Sequence, residues 1–289
     1  MWEVILESLL DSAKASPFLL VVYLLIEFLE NNAKTKSATV RLLNGKLAPL
    51  VASGVGLIPQ CGFSVMATDL YNQRYLKTGT LIAFFVATSD EALPILLTNS
   101  QTAKVVWIVV VVKLVYAVLL GYLINLLDKR KLSNTYQLQQ EGCCGHEMHD
   151  HHHSFWHFVK HPLLHTLKIF LYLFAVNVAF GLLLYYFQDA IVGFASKLGI
   201  FRPFITSIIG LVPNCSASVI LAGMYTNSLI TLGSLIGGLV SSSGLAFVIL
   251  FKQKGQLKRN LVILATMYLS GVLIGMITDL VLSYIPMPI

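Results

Sequence analysis

The chain has 289 residues, 56% hydrophobic and 12% charged, with a net charge of +6 and a mean hydropathy of +0.75. A soluble domain carries roughly 25% charged residues, so a water-soluble globular enzyme and a disordered chain are both excluded. The basic residues sit between apolar runs and build no basic face, which excludes a nucleic-acid binder.

The apolar blocks are long and unbroken rather than alternating in short strands. The fold class is therefore an all-α polytopic membrane protein and not a transmembrane β-barrel. In chain order, the stretch from Met1 to Ser16 sets Glu3, Glu7 and Asp11 among Trp2, Val4, Ile5, Leu6, Leu9 and Leu10. That pattern predicts an amphipathic surface helix, and it lacks the basic flank and cleavage site of a signal peptide. Four apolar blocks follow at 17–30, 47–70, 78–97 and 104–127, then a polar linker, then four more at 168–187, 201–224, 229–251 and 260–284. The second block of each set has a Pro at its middle, followed by a polar residue and Cys: Pro59-Gln60-Cys61 and Pro213-Asn214-Cys215. The third blocks are interrupted by Thr88-Ser89-Asp90-Glu91 and Ser241-Ser242-Ser243-Gly244. Backbone breaks at membrane depth are tolerated where they line a cavity.

A shift of 154 residues aligns the chain with itself without a gap. Residues 48–97 against 202–251 give 17 identities in 50, where this composition gives roughly 4 or 5 by chance. Pro49/Pro203, Gly56/Gly210, Pro59/Pro213, Cys61/Cys215, Ser64/Ser218 and Gly79/Gly233 are among them. The same shift pairs Gly121 with Gly275 and Asn125 with Asp279. Asp279 falls near an outer span end, where an interfacial position is expected, and its alignment with Asn125 points to a shared structural role. The domains are thus repeat 1 at 1–128, a His/Cys-rich linker at 129–159 and repeat 2 at 160–289.

Lys and Arg concentrate in 31–46, 71–77, the linker and 252–259. The positive-inside rule puts those segments, linker included, in the cytoplasm and both termini outside. Block 47–70 then enters and leaves by one face, as a re-entrant hairpin turning near Pro59-Gln60-Cys61. The second hairpin enters from the other face. Three spans plus one hairpin is an odd number of crossings, so the repeats are inverted, the architecture of secondary transporters. Counting each hairpin as two full helices gives ten spans and returns the chain to the same face.

The twin signature, Gly56-Leu57-Ile58-Pro59-Gln60-Cys61-Gly62-Phe63-Ser64 and Gly210-Leu211-Val212-Pro213-Asn214-Cys215-Ser216-Ala217-Ser218, resembles that of a bacterial ten-span heavy-metal exporter family. Its members also carry arsenic efflux and manganese transporter labels. The chain is more distantly similar to organoarsenical permeases, which have Pro-x-Cys-Ser-Cys where this chain has Pro-x-Cys-Gly-Phe and Pro-x-Cys-Ser-Ala. The resemblance implies a multi-pass protein of the bacterial cytoplasmic membrane, a transporter and not an enzyme.

Cys61 and Cys215 follow the two prolines at symmetric positions, and inverted hairpins bring such tips together near the midplane. Thiolates select soft ions: arsenite-type metalloids, mercury, cadmium, Cu(I) or zinc. Asp90 and Glu91 stand within a span, where a carboxylate costs roughly 2.5–3.5 kcal/mol on insertion scales and marks function by default. They are candidates for proton coupling or for co-ligating a metal, and Lys113, also within a span, is a candidate partner for one of them. Gln60, Asn214, Ser64, Ser218, Ser89 and Ser243, with Thr88 and Ser242, are expected polar lining.

Cys143, Cys144, His146, His149, His151, His152 and His153 form a tract in the linker that signals metal collection or sensing by composition alone. No Gly-rich phosphate loop appears, so coupling to ATP within this chain is not expected. No covalent cofactor is expected; the partners are the transported ion, the lipid bilayer and, from transporter habit, a second copy in a homodimer.

The expected function is a secondary active exporter of a heavy metal or metalloid working by alternating access. The alternative is a Mn²⁺ exporter leaning on Asp90, Glu91, Gln60 and Asn214. A passive channel and a membrane thiol oxidoreductase are the minor alternatives.

Overall fold

The computed structural model describes residues 47–58, 61–72, 74–88, 92–98, 102–128, 201–252 and 256–284, with parts of 170–187 and a few isolated positions. Most of the amphipathic stretch 1–16, the first apolar block and the linker lie outside the described residues.

In the first repeat the helices are α1 (Ala48–Gly56), α2 (Cys61–Asn72), α3 (Thr78–Ala87), α4 (Ala92–Thr98) and α5 (Ala103–Leu127). In the second they are α6 (Arg202–Gly210), α7 (Cys215–Thr226), α8 (Leu232–Ser241), α9 (Ala246–Lys252) and α10 (Leu257–Tyr284). The 154-residue shift carries the bounds of α1 to α4 onto those of α6 to α9 residue for residue, and the start of α5 onto the start of α10. An apolar helix at Phe174–Phe187 falls in the first block of repeat 2.

Local chemistry explains the boundaries. Pro49 and Pro203 sit in the first turn of α1 and α6, where the missing N–H costs nothing and the fixed φ suits the helix. Asn214 caps α7, its side-chain oxygen accepting the Ser216 N–H at 2.8 Å. Thr231 caps α8 in the same way, accepting from the Ser234 N–H at 3.2 Å. At the far ends of α3 and α8, Thr88 (φ −57°, ψ 128°) and Ser242 (φ −76°, ψ 128°) turn the chain out of helical geometry. These are the two breaks that the polar runs predict. Gly244, at φ 53°, takes the left-handed conformation within the second.

Four segments are long and apolar enough to cross a membrane: Thr78–Thr98 (α3 with α4), Ala103–Leu127 (α5), Leu232–Lys252 (α8 with α9) and Leu257–Tyr284 (α10). The hairpin helices are not. α1 and α2 hold 9 and 12 residues, or roughly 13 and 18 Å at helical rise, against a hydrocarbon core of roughly 30 Å.

α3 and α8 form the axis of the molecule. Every residue of Gly79–Ala87 and of Leu232–Ser241 is buried. α1 and α5 flank α3 as α6 and α10 flank α8. The approach is close enough to need glycine: a Cβ on Gly56 would stand 2.7 Å from the Phe84 carbonyl, and one on Gly210 would collide with the Gly238 carbonyl. Small residues let backbones meet where lipid supplies no hydrophobic drive for helix association. Between repeats, α2 packs on α9 and α7 on α4. Phe85 meets Phe247 edge-on at 5.9 Å, and the Tyr116 hydroxyl donates to the carbonyl of Ser270, its own equivalent, at 3.2 Å. On the outside, Trp107, Val111, Val115, Leu119 and Leu123 of α5 and Val262, Leu269, Leu273 and Leu280 of α10 are exposed.

Candidate functional site

Some of the buried polar residues of the interior lie at the hairpin tips and the helix breaks. In repeat 2, Asn214, Cys215 and Ser218 are all buried. Cys215 carries a thiol rather than a disulfide, and its carbonyl accepts the Ser218 hydroxyl at 2.7 Å. The Asn214 side chain is turned onto the α7 N-terminus as its cap. In repeat 1, Cys61 opens α2 in the register of Cys215, and Ser64 is buried with its carbonyl accepting the Thr68 hydroxyl at 2.8 Å.

Topology sets the level of these tips. A short turn after Thr226 joins α7 to α8, and the two pack along one another. The Cys215 end of α7 therefore lies level with the end of α8, where the second break begins. α7 also packs on α4, which follows the first break. The repeat 2 hairpin thus stands between the broken helices of both repeats, and α2 stands in the corresponding place against α3 and α9.

Lys113 lies at the centre. It is fully buried on α5, and its Nζ donates to the Thr88 carbonyl and, at 3.1 Å, to the Leu239 carbonyl. A buried charge is tolerated only when polar groups replace its water. Among the groups that do so here are two main-chain oxygens, one from each repeat. The adjoining hydroxyls differ. Thr88 Oγ1 returns to the Phe84 carbonyl at 2.9 Å, whereas Ser242 and Ser243, equally buried, have no hydrogen-bond partner for their hydroxyls among the described residues.

The opposite ends of the axis helices are held by carboxylates. The Thr78 N–H at the start of α3 donates to Asp128 Oδ2 at 2.9 Å. In repeat 2, Asp279 accepts the Gly233 N–H at 2.9 Å and the Thr231 hydroxyl at 2.7 Å. Asn125, aligned with Asp279, donates to Thr80 Oγ1 at 3.1 Å. The Asp279 carboxylate is half-buried and caps α8. The role it shares with Asn125 is to tie the last long helix of each repeat to the axis. The Asp128 cap is missed by sequence reasoning; an acid 50 positions from the N–H it holds leaves no local signature.

Of the residues singled out from sequence, Ser64, Asn214, Cys215, Ser218, Ser243 and Lys113 fall at the tips and breaks. Gln60, Ser89, Asp90, Glu91 and the linker residues Cys143, Cys144, His146, His149, His151, His152 and His153 lie outside the described residues, as does the Cys61 side chain. Among the described residues no three His, Cys, Asp or Glu side chains gather into a metal-sized cluster. The described donors at the site are a thiol, an amide, hydroxyls, carbonyls and one ammonium.

A family model described as "Putative, 10TM heavy-metal exporter" matches residues 1–184, which take in all of repeat 1, the linker and most of the first block of repeat 2. The chain belongs to that family. No curated protein and no solved structure matches it. The sequence resemblance is thereby confirmed at the level of family, and with it a multi-pass membrane protein of exporter type. The matched stretch contains the first Pro-x-Cys hairpin; the second lies beyond it and is tied to the first by the internal repeat. The apolar blocks of the sequence number ten when each half of a hairpin is counted singly.

Proposed function

We propose that this protein is a secondary active transporter that exports a heavy metal or metalloid from the cytoplasm by alternating access around a midplane site. Cys61 and Cys215 bind the soft ion, with Gln60, Asn214, Ser64, Ser218, Ser89 and Ser243 lining its path. Asp90 and Glu91 carry the coupling proton or co-ligate the metal, with Lys113 beside them. The linker, in the cytoplasm, collects metal through its His/Cys tract. Both termini lie outside, and the protein sits in the bacterial inner membrane, with a homodimer as the assembly to test.

The observation that carries this reading is the exchange of partners between repeats. α2 shares a membrane half with α3, to which it is joined, yet packs on α9. α9 follows α8 across a break, so this contact supports an α8 in the opposite half. It favours runs α3–α4 and α8–α9 that cross in opposite directions, as inverted repeats require. Tyr116 facing its own equivalent Ser270 fits a two-fold axis between them. Hairpin helices too short to span favour re-entrant hairpins with mid-membrane tips over four extra crossings.

The test is metal binding to purified protein lacking residues 141–153, so that the linker tract does not mask the core. Cd²⁺, Zn²⁺, Mn²⁺, arsenite and methylarsenite are compared. Tight Cd²⁺ or arsenical binding, lost in Cys61→Ser/Cys215→Ser, is the expected result. Mn²⁺ binding that survives those changes and fails in Asp90→Asn or Glu91→Gln overturns the thiolate site and makes this a hard-cation exporter. Transport in proteoliposomes that never concentrates the ion would reduce it to a channel.

A further inference from the structure

The inverted arrangement brings three places to the cytoplasmic face: the turn from α2 to α3, the end of α9, on which α2 packs, and the start of α10, which follows α9. They carry Arg74, Lys77, Lys252, Lys258 and Arg259. The 154-residue shift supplies a control on the other face, where the same positions hold Ser228, Thr231, Thr98, Lys104 and Val105. Five cations stand against one, so the fold itself asks for no charge at four of the five positions.

Local structure does not ask for these charges either. Arg74 has φ 65°. Its N–H meets the Tyr71 carbonyl and the Tyr75 N–H meets the Leu70 carbonyl, both at 2.9 Å. That is the helix ending which glycine fills most easily. Ser228 makes the same turn at φ 58°, so an arginine is not needed to form it. Lys258 and Arg259 are exposed in the first turn of α10, which holds no acid; the macrodipole favours acids there.

What lies beside these cations is apolar. Leu261, 52% exposed, follows Leu257 at a spacing of four, and Val262, 63% exposed, follows Lys258 at the same spacing. Such pairs share a helix face. Charge gives way to apolar surface within one turn, as headgroup gives way to hydrocarbon in a leaflet. Among the described residues the acids on this face are Asp69, which is half-buried, and Asp128, which is engaged as the α3 cap. Segments 31–46, 129–159 and 253–255, of the same side by sequence, hold eight Lys and Arg and three Asp and Glu, so they do not reverse the sign.

We propose, building on the inverted arrangement above, that the ends of α2, α9 and α10 bind an anionic phospholipid of the cytoplasmic leaflet. Arg74, Lys258 and Arg259 meet the headgroup phosphate, and Leu257, Leu261 and Val262 meet the upper part of an acyl chain. Basic pockets between membrane helices on the cytoplasmic side recognise such headgroups. Arg74 belongs to repeat 1 and the other two cations to repeat 2, so the lipid ties the repeats together at this face.

The experiment is binding of phosphatidylglycerol to the purified full-length protein in detergent, compared with phosphatidylcholine of the same chains and with inorganic phosphate at equal ionic strength. The readouts are lipid retained in native mass spectrometry and the rise in unfolding temperature. Phosphatidylglycerol alone is expected to be retained and to stabilise. Arg74→Gln, Lys258→Gln and Arg259→Gln are each expected to weaken its binding roughly fivefold, and Lys104→Gln on the other face to leave it unchanged. Where a glutamine variant does not fold, Arg74→Ser and Arg259→Val, the residues of the other repeat, give the same reading. Equal retention of phosphatidylcholine overturns the proposal, as do cation variants that bind as tightly as wild type. Inorganic phosphate producing the same rise reduces the surface to a free-anion site and overturns the lipid. In a chain with its own cysteines replaced by serine, Arg74→Cys and Lys258→Cys are expected to react with a membrane-impermeant maleimide from the same side. Reaction from opposite sides overturns the inverted arrangement and the lipid site with it, whereas reaction from one side without a preference for phosphatidylglycerol overturns the lipid site alone.

Discussion

In the first repeat the start of α3 is held by Asp128, which lies just past the end of α5; in the second the start of α8 is held by Asp279, from within α10. Asp128 takes the Thr78 N–H. Asp279 takes an N–H and a hydroxyl. At the far ends, Thr88 satisfies its hydroxyl within its own helix, whereas Ser242 does not. Yet the helix bounds superpose under one shift, and the same glycines bring the same backbones together. Shape is kept by close backbone contact, which tolerates no substitution. The polar fittings change residue as long as each helix end is met.

The largest effect should come from disturbing shape. Gly210→Val drives a side chain into the Gly238 carbonyl, where backbone cannot give way. Overpacking costs typically 1–3 kcal/mol and more where nothing relaxes, so loss of monodisperse protein in size-exclusion chromatography is expected. Gly223→Ala, with open space around it, is the control and should elute as wild type.

Removal of the Asp279 carboxylate by Asp279→Ala leaves the Gly233 N–H and the Thr231 hydroxyl without their acceptor. Charged hydrogen bonds contribute about 1.5–3 kcal/mol, so a fall of that order in unfolding free energy is expected. Asp128→Ala removes the acceptor of the Thr78 N–H at the start of α3 and should also lower the unfolding free energy by about 1.5–3 kcal/mol. No loss in either variant would mean that these caps do not hold the axis helices.

Asn214→Ala removes the cap of α7 and should cost about 1 kcal/mol, with Asn214→Ser close to wild type in a thermal scan. Tyr116→Phe tests the meeting of α5 with α10; interhelical hydrogen bonds in membranes average about 0.6 kcal/mol, so a shift of that size is expected. A loss several times larger would make that single bond a principal tie between the repeats.

The breaks and hairpin turns were legible in the sequence because Pro, Gly and runs of hydroxyl residues stand out against apolar blocks. The repeat was legible because prolines, cysteines and glycines do not align by generic hydrophobicity. The environment of Lys113 was not. The sequence marks a lysine in a span and suggests carboxylate partners, which lie outside the described residues; it could not name the carbonyls that Lys113 also meets, because every residue carries one. One of them is 126 positions away. The cap made by Asp279 was half visible: alignment with Asn125 joined the two, but nothing local names Gly233 and Thr231 as what Asp279 holds.

α5 and α10 have 25 and 28 residues, about 37 and 42 Å at helical rise, which exceeds a hydrocarbon thickness of roughly 30 Å. They also carry exposed apolar faces, while Gly79–Ala87 of α3 and all of α8 are buried. A change in acyl-chain length is therefore felt first by these two long helices, which answer by tilting. Their tilt reaches the axis through the Gly79–Gly121 and Gly233–Gly275 backbone contacts, through the Asp128 and Asp279 caps and, at the breaks, through Lys113. Bilayer thickness thus becomes a mechanical input to the broken helices.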